Sequence, residues 1–192
     1  MWRQIAIAFR VLLFMTVLTG LIYPGVVTAL CQVIFPQKAN GSLVRINGTV
    51  VGSSLIGQNF TKPQYFQPRP SAAGNGYDAS SSSGSNYGPT NQKLIDRVKA
   101  SIADFRKQNP DYQGPIPADL VTASASGLDP DISLASAEAQ AARVAQARGV
   151  PLDEIKQLIH AHAKGRVVGF LGVPRVNVLQ LNLALDRQFS RR

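Results

Sequence analysis

Val11–Phe35 reads VLLFMTVLTGLIYPGVVTALCQVIF, a run without a single charge, and everything after it has the composition of a water-soluble domain. A helix needs about 20 apolar residues to cross the roughly 30 Å hydrocarbon core of a bilayer. The run therefore predicts one transmembrane helix, residues 11–35, behind a short N-terminus, residues 1–10. Arg3 and Arg10 lie in that N-terminus with no acid to oppose them. The positive-inside rule then keeps it cytoplasmic and places residues 36–192 outside the cytoplasmic membrane.

A cleaved signal peptide has a similar start: a basic N-terminus, a shorter apolar stretch and a small-residue exit. Val11–Ile22, the breaker pair Pro24-Gly25 and Val27-Thr28-Ala29 can be read that way. The apolar residues that continue through Val26, Val27, Leu30, Val33, Ile34 and Phe35 exceed what such a leader needs and favour a retained helix. Lipid attachment at Cys31 is disfavoured by bulky Leu30 before it. Pro24 removes one backbone donor and frees the carbonyl of Gly20, so a kink is expected there. Gly20, Pro24 and Gly25, with Thr16, Thr19, Thr28 and Ala29 nearby, predict a helix face that packs on protein.

Of 192 residues, those beyond the helix suffice for one soluble domain with its own core. The single cysteine, Cys31, excludes an intrachain disulfide. The net charge is +9, two of it from Arg3 and Arg10. The remaining basic residues are scattered and lack interleaved aromatics, which argues against nucleic acid and for anionic lipid head groups or an acidic partner surface.

The expected fold class is α+β: a β-hairpin and about four helices. Asn47-Gly48 between Leu43–Ile46 and Thr49–Val51 predicts a hairpin with a type I′ turn, and Ser54–Ile56 a possible further strand. Thr61–Thr90 is rich in Ser, Gly, Pro and Asn and reads as a long loop. Its aromatic residues argue that it touches something. Leu94, Ile95, Val98, Ile102 and Phe105 form a helical stripe that ends at Asn109-Pro110. A second helix is capped by Ser133 and stops at Gly149; a third, from Leu152 to about Ala163, puts Leu152, Ile155, Ile159 and His162 on one face. The last is capped by Asn177 with Gln180 three residues on, and carries Val178, Leu181, Leu185 and Phe189; alternation of Leu179, Leu181, Leu183 and Leu185 argues for a strand instead.

No nucleophile elbow, Walker loop, zinc signature or dinucleotide fingerprint occurs, so no catalytic residue is assigned. His160 and His162 are two apart on a predicted helix and do not share a face, so no metal site is assigned either. Ser124-Ala125-Ser126-Gly127 can be read as a phosphate-cradling turn or, more simply, as a tight loop entering a helix. In the long loop, Phe60, Tyr65, Phe66, Arg69 and Asn86 are candidate contacts with the domain or a partner. Only Ser80–Ser83 is expected to be mobile.

IYPGVVTAL, QKANGSLVRINGTVVGSSLIGQNF, YFQPRPSA, the GSN of Ser83–Asn86, DLVTASASGLDPDIS, QAARVAQARG and VPRVNVLQLNLALD follow one another in this order. Together they resemble the C subunits of the Kdp potassium-transporting P-type ATPases, from about Val11 to Asp186. The resemblance implies a non-catalytic accessory subunit in the bacterial inner membrane. Its implied partners are a channel-like potassium-binding subunit, an ATP-hydrolysing subunit and a small single-span peptide, with one transmembrane helix of its own. It implies no bound cofactor, with ATP reached only through the complex. Three functions follow as alternatives. One is a subunit needed for assembly or at the ion entrance. Another is a catalytic chaperone that raises the ATP affinity of the hydrolysing subunit, for which Ser124, Ser126, Gly127, Asp129 and Gln140 would be the nucleotide-related positions. The third, of another class, is a membrane-anchored extracytoplasmic enzyme.

Overall fold

A computed structural model describes residues 1–189; Ser190–Arg192, the end of the basic tail, lie outside the described residues. The chain divides into two compact units, Met1–Val51 and Gly52–Arg192.

In the first unit α1 (Trp2–Val17), one π-helical turn (Leu18–Ile22) and α2 (Tyr23–Ile34) run on as one helix with no buried residue. It is long and apolar enough to cross a membrane, and its 33 residues span about 50 Å at a rise of 1.5 Å each. The helix accommodates Pro24 in a specific way. Proline has no N–H to close onto Gly20, and just before it the Tyr23 N–H reaches five residues back to the Leu18 carbonyl. That bond makes the π turn, a common companion of a helix irregularity. Thr19 Oγ1 donates to the Met15 carbonyl at 2.7 Å.

A single turn, α3 (Pro36–Ala39), leads to the hairpin of β1 (Leu43–Ile46) and β2 (Thr49–Ser53). Asn47 and Gly48 have φ of 48° and 81°, as a type I′ turn requires. The further strand expected at Ser54–Ile56 is a turn. Ser53 takes over the backbone donors a strand would have offered: its Oγ accepts from Leu55 N–H and its carbonyl from Ile56 N–H.

The second unit combines α4 (Gln92–Gln108), α5 (Leu134–Arg148), α6 (Leu152–His162) and α7 (Val178–Gln188) with a small antiparallel sheet. Its strands, β3 (Asp131–Ser133), β4 (Ala163–Lys164) and β5 (Arg175–Asn177), lie in the order β3-β5-β4. Val176 faces Ile132 on one side and Ala163 on the other. Residues 165–174, joining β4 to β5, are all exposed. Asn91, Ser133 and Asn177 each cap a helix by accepting a backbone N–H, from Lys93, Ser136 and Gln180. Gly149, at φ 67°, closes α5 in the left-handed conformation. The leucine-rich C-terminal segment is helix, since Val178, Leu181 and Leu185 are buried on one stripe, together with Leu179.

The core gathers Phe66, Ile132, Val144, Ile155, Ile159, Val176, Leu181 and Leu185. Ala137, Ala141 and Ala145 of α5 lie in it too, small enough for close approach of neighbouring elements. On α6 the buried residues are Ile155, Leu158 and Ile159, while Leu152 is 38% exposed, so its apolar face starts a turn later than the sequence suggested. Of the α4 stripe only Phe105 is buried, in a second cluster with Leu120 and Ala139. Residues 54–91 contain neither helix nor strand. A loop of that length needs its own anchors.

Candidate functional site

Two buried amides hold the loop at consecutive residues. Phe66 N–H donates to Asn182 Oδ1 at 2.8 Å and Asn182 Nδ2 donates back to the Phe66 carbonyl at 2.9 Å. Gln67 N–H donates to Gln140 Oε1 at 2.8 Å and Gln140 Nε2 returns a bond to the Gln67 carbonyl at 3.1 Å. A backbone that would pair with a strand in a sheet pairs here with side chains from α7 and α5, which satisfies groups that burial would otherwise leave costly. Gln140 is 1% exposed, and also donates to the Ser136 carbonyl and accepts from Arg143 Nη2.

Arg143 is the second anchor. Its guanidinium donates to Asn109 Oδ1, to the carbonyls of Pro63 and Tyr65, and to Gln140. All these acceptors are neutral, and burial lowers its pKa to about 10. Arg148, five residues on, donates to the Gln64 carbonyl and to Asp186 Oδ1 at 2.7 Å while its guanidinium lies over the Tyr65 ring. Tyr65 Oη donates to the other Asp186 oxygen at 3.0 Å, and burial, then Asp186, raise its pKa.

The next stretch of loop is held by the Ser124–Asp129 segment. Arg69 meets Asp129 at 2.9 Å, and Ser71 Oγ donates to the Gly127 carbonyl at 2.6 Å. Ser82 Oγ and Ser83 N–H both donate to the Ser126 carbonyl. Gly127 has φ 67°, and a Cβ on it would sit 2.6 Å from the Ser83 carbonyl oxygen and 2.7 Å from the Ala73 nitrogen. Only glycine fits both the backbone angle and the space. Tyr77, whose Oη donates to the Arg69 carbonyl, has its pKa pushed up by burial to about 12.

These contacts join sequence blocks that are far apart: YFQPRPSA touches QAARVAQARG, NLALD and SASGLD, and the serine run touches SASGLD. The family model described as "KdpC: K+-transporting ATPase, c chain" matches residues 5–187, which takes in the apolar helix and all these anchors. The chain belongs to the KdpC family. The potassium-transporting ATPase KdpC subunit of Myxococcus xanthus is 56% identical over 191 residues, covering 99% of this chain and 90% of that protein. That of Koribacter versatilis is 58% identical over 172 residues, covering 89% and 88%. That of Mycobacterium tuberculosis is 51% identical over 188 residues, covering 97% and 100%.

Within this KdpC-family fold the residues singled out from sequence fall into distinct groups. Phe66, a candidate contact with the domain or a partner, is wholly buried in the domain's own core, which is the first of those two alternatives: its apolar area is removed from water by α5–α7. Phe60 packs against the same core and lies 5.6 Å from the Tyr65 ring. Tyr65 and Arg69 are half-buried and bonded within the domain, so the charge of Arg69 is turned onto Asp129. Asn86 is exposed at φ 50°. Ser80 N–H and Oγ bond Asp78, holding that carboxylate below the usual range, and Ser82 and Ser83 bond Ser126, so the serine run is tied down.

Of the nucleotide-related positions, Gln140 has its amide fully engaged inside the fold, and Ser124, Ser126, Gly127 and Asp129 form the seat for the loop. Gly20 and Gly25 have open space where a side chain would go. His160 lies 3.4 Å from Glu138 on α5, and His162 Nδ1 is 3.0 Å from the Leu158 carbonyl. Among the described residues no cluster of three or more His, Cys, Asp or Glu could hold a metal.

The roles of Asn109, Arg143 and Asn182 as buried anchors were not read from the sequence. A signal for Asn182 was present: it stands at the i+4 position from Val178 on an apolar helical stripe, where a polar residue requires a buried partner.

Proposed function

We propose that the chain is the accessory, non-catalytic C subunit of an ATP-driven potassium importer. Its single helix spans the bacterial inner membrane with the N-terminus in the cytoplasm and the folded domain outside. The observation that carries this reading is the family match along residues 5–187, which unites an apolar helix with no buried face and a domain whose buried amides, Gln140 and Asn182, are committed to its own architecture. In the Kdp complex the helix packs on the channel-like potassium-binding subunit. The outer domain contributes to assembly and to the shape of the ion entrance, alongside the ATP-hydrolysing and small single-span subunits.

Small residues at Gly20 and Gly25 let a partner backbone come close, and the π turn before Pro24 gives the helix an irregular surface that a partner groove must match. A role in raising ATP affinity would require nucleotide to displace bonds that Gln140 and Asp129 already make inside the domain. A periplasm-active reporter fused after Arg192 tests the arrangement. Activity of that fusion, with silence of a cytoplasm-only reporter, is the expected result, and the reverse pattern refutes it.

A further inference from the structure

Residues 163–177 form a finger. β4 and β5 pair at its base, and at its far end Val167 N–H donates to the Leu171 carbonyl at 2.8 Å, Leu171 N–H to the Val167 carbonyl at 3.0 Å, and Gly169 N–H to the Arg166 carbonyl at 3.3 Å. Between these bonds the chain turns through Val168 at φ 54° and Gly169 at φ 82°. A β-branched residue rarely adopts that conformation. Here it sets a valine at the tip.

The finger exposes a dense apolar group: Val167 is 53% exposed, Val168 78%, Phe170 69%, Leu171 53% and Val173 63%. A contiguous apolar patch with a polar rim marks a contact site rather than ordinary surface. Asp119, Asp129 and Asp131 line a cavity with Val173 at the β3 side and are bonded there to Ser133, Arg69 and Arg175, while the finger's own charges are cationic. No Asp or Glu occurs between Glu154 and Asp186. Lys164 and Arg166 are exposed, and neither is in an ion pair among the described residues, whereas Arg175 is held by Asp131 at 2.9 Å.

We propose that the apolar tip, Val167–Val173, inserts into the interface of the bilayer that anchors the chain, with Lys164 and Arg166 on anionic lipid head groups. The proposal rests on the reading that Trp2–Ile34 spans a membrane. Three observations favour lipid over protein as the occupant. The tip closes part of its backbone on itself, Val167 with Leu171 and Gly169 with Arg166, which lowers the cost of taking it into the head-group region, where its remaining backbone groups still meet water. Free cations beside apolar side chains are the pattern of interfacial anchors on anionic membranes. A tether in the same membrane raises the local concentration of lipid about the tip, so a contact too weak to hold alone becomes occupied.

The full-length chain carrying Trp2→Phe and Phe170→Trp has its one tryptophan at the tip. It is reconstituted into vesicles of phosphatidylcholine and phosphatidylglycerol, with Leu55→Trp on the same background as the exposed control. The F170W emission should shift to the blue and fall about twofold or more with brominated acyl chains, while the L55W emission stays water-like. Lys164→Glu with Arg166→Glu should reduce the quenching in phosphatidylglycerol vesicles and leave it unchanged in pure phosphatidylcholine. Protein that floats with the vesicles yet shows water-like F170W emission overturns the finger proposal and leaves the spanning helix intact. Protein that does not float overturns both. In the assembled transport complex, blue-shifted emission that brominated lipid does not quench assigns the tip to a protein partner and also overturns the proposal.

Discussion

Asn182 on α7 and Phe66 in the long loop exchange two hydrogen bonds, of 2.8 and 2.9 Å, at a site from which water is excluded. One residue on, Gln140 makes the same two-way bond to Gln67. Two side-chain amides thus take the place of a neighbouring strand and convert a segment without helix or strand into a fixed part of the core.

Replacing Asn182 with Leu keeps the branched arrangement of heavy atoms and strands one N–H and one carbonyl of Phe66. The expected loss is about 2–6 kcal/mol, the sum for two buried unsatisfied groups. Chemical denaturation of the full chain in detergent, followed by tertiary circular dichroism, measures it. Gln140→Leu should cost more, because it also leaves Arg143 Nη2 without its acceptor. Because residues 66 and 67 move together once either grip is lost, the double variant should fall short of the sum. Strict additivity would mean that the two amides act independently.

Arg143 serves four neutral acceptors from one buried guanidinium. Arg143→Met removes the charge and leaves two loop carbonyls and two amide oxygens short of a donor, for an expected loss of about 3 kcal/mol or more. Arg143→Lys should recover little, since an ammonium cannot reproduce the planar fork. Enhanced proteolysis near Pro63–Tyr65 in both variants is the measurable outcome. A lysine variant as resistant as the parent would refute the geometric argument.

Gly127 and Gly149 share a φ of 67° but differ in surroundings. Alanine at Gly149 meets nothing within 4 Å and incurs only the left-handed backbone penalty, about 1 kcal/mol. Alanine at Gly127 would press on the Ser83 carbonyl and Ala73 backbone, neither of which can yield without unseating the loop. Gly127→Ala should therefore lower the unfolding midpoint clearly more than Gly149→Ala, as thermal unfolding of the two variants side by side would reveal.

Burial holds the Tyr77 phenol neutral to about pH 12 against an ordinary value of 10. A raised folded-state value means a contribution present in full below pH 10 and lost as pH climbs from 10 through 12. Arg143, with its value lowered to about 10, works in the opposite sense over the same alkaline range, so the comparison must be made against Tyr77→Phe. The ultraviolet phenolate titration of the parent should contain one late step near pH 12 that the phenylalanine variant lacks, and the alkaline loss of stability should be shallower in that variant.

Gly20 and Gly25 leave open space on the helix. Leucine at either position should insert into membranes normally but reduce co-purification with the channel-like subunit several-fold, by holding the backbones apart. Assembly that tolerates both leucines would place this face against lipid.

Features set by local chemistry were legible in the sequence. The uncharged run Val11–Phe35, the Asn47-Gly48 turn, the caps Asn91, Ser133 and Asn177 and the stop at Gly149 each depend on residues within a few positions of one another. Backbone angles, capping bonds and burial periodicity act over that range. Tertiary structure decided what the long loop is. Its composition reads as solvated linker, yet Phe66 is core and the serine run is bonded, because the partners, Gln140, Arg143, Asn182 and Ser126, lie 44 to 116 residues away. A side-chain amide satisfying a distant backbone leaves no periodic trace in either segment. Only the packing of α5 and α7 brings the two together. The finger is likewise tertiary in origin: five apolar residues between Arg166 and Arg175 could equally be a buried strand, and it is the pairing of β4 with β5 that leaves them standing in solvent.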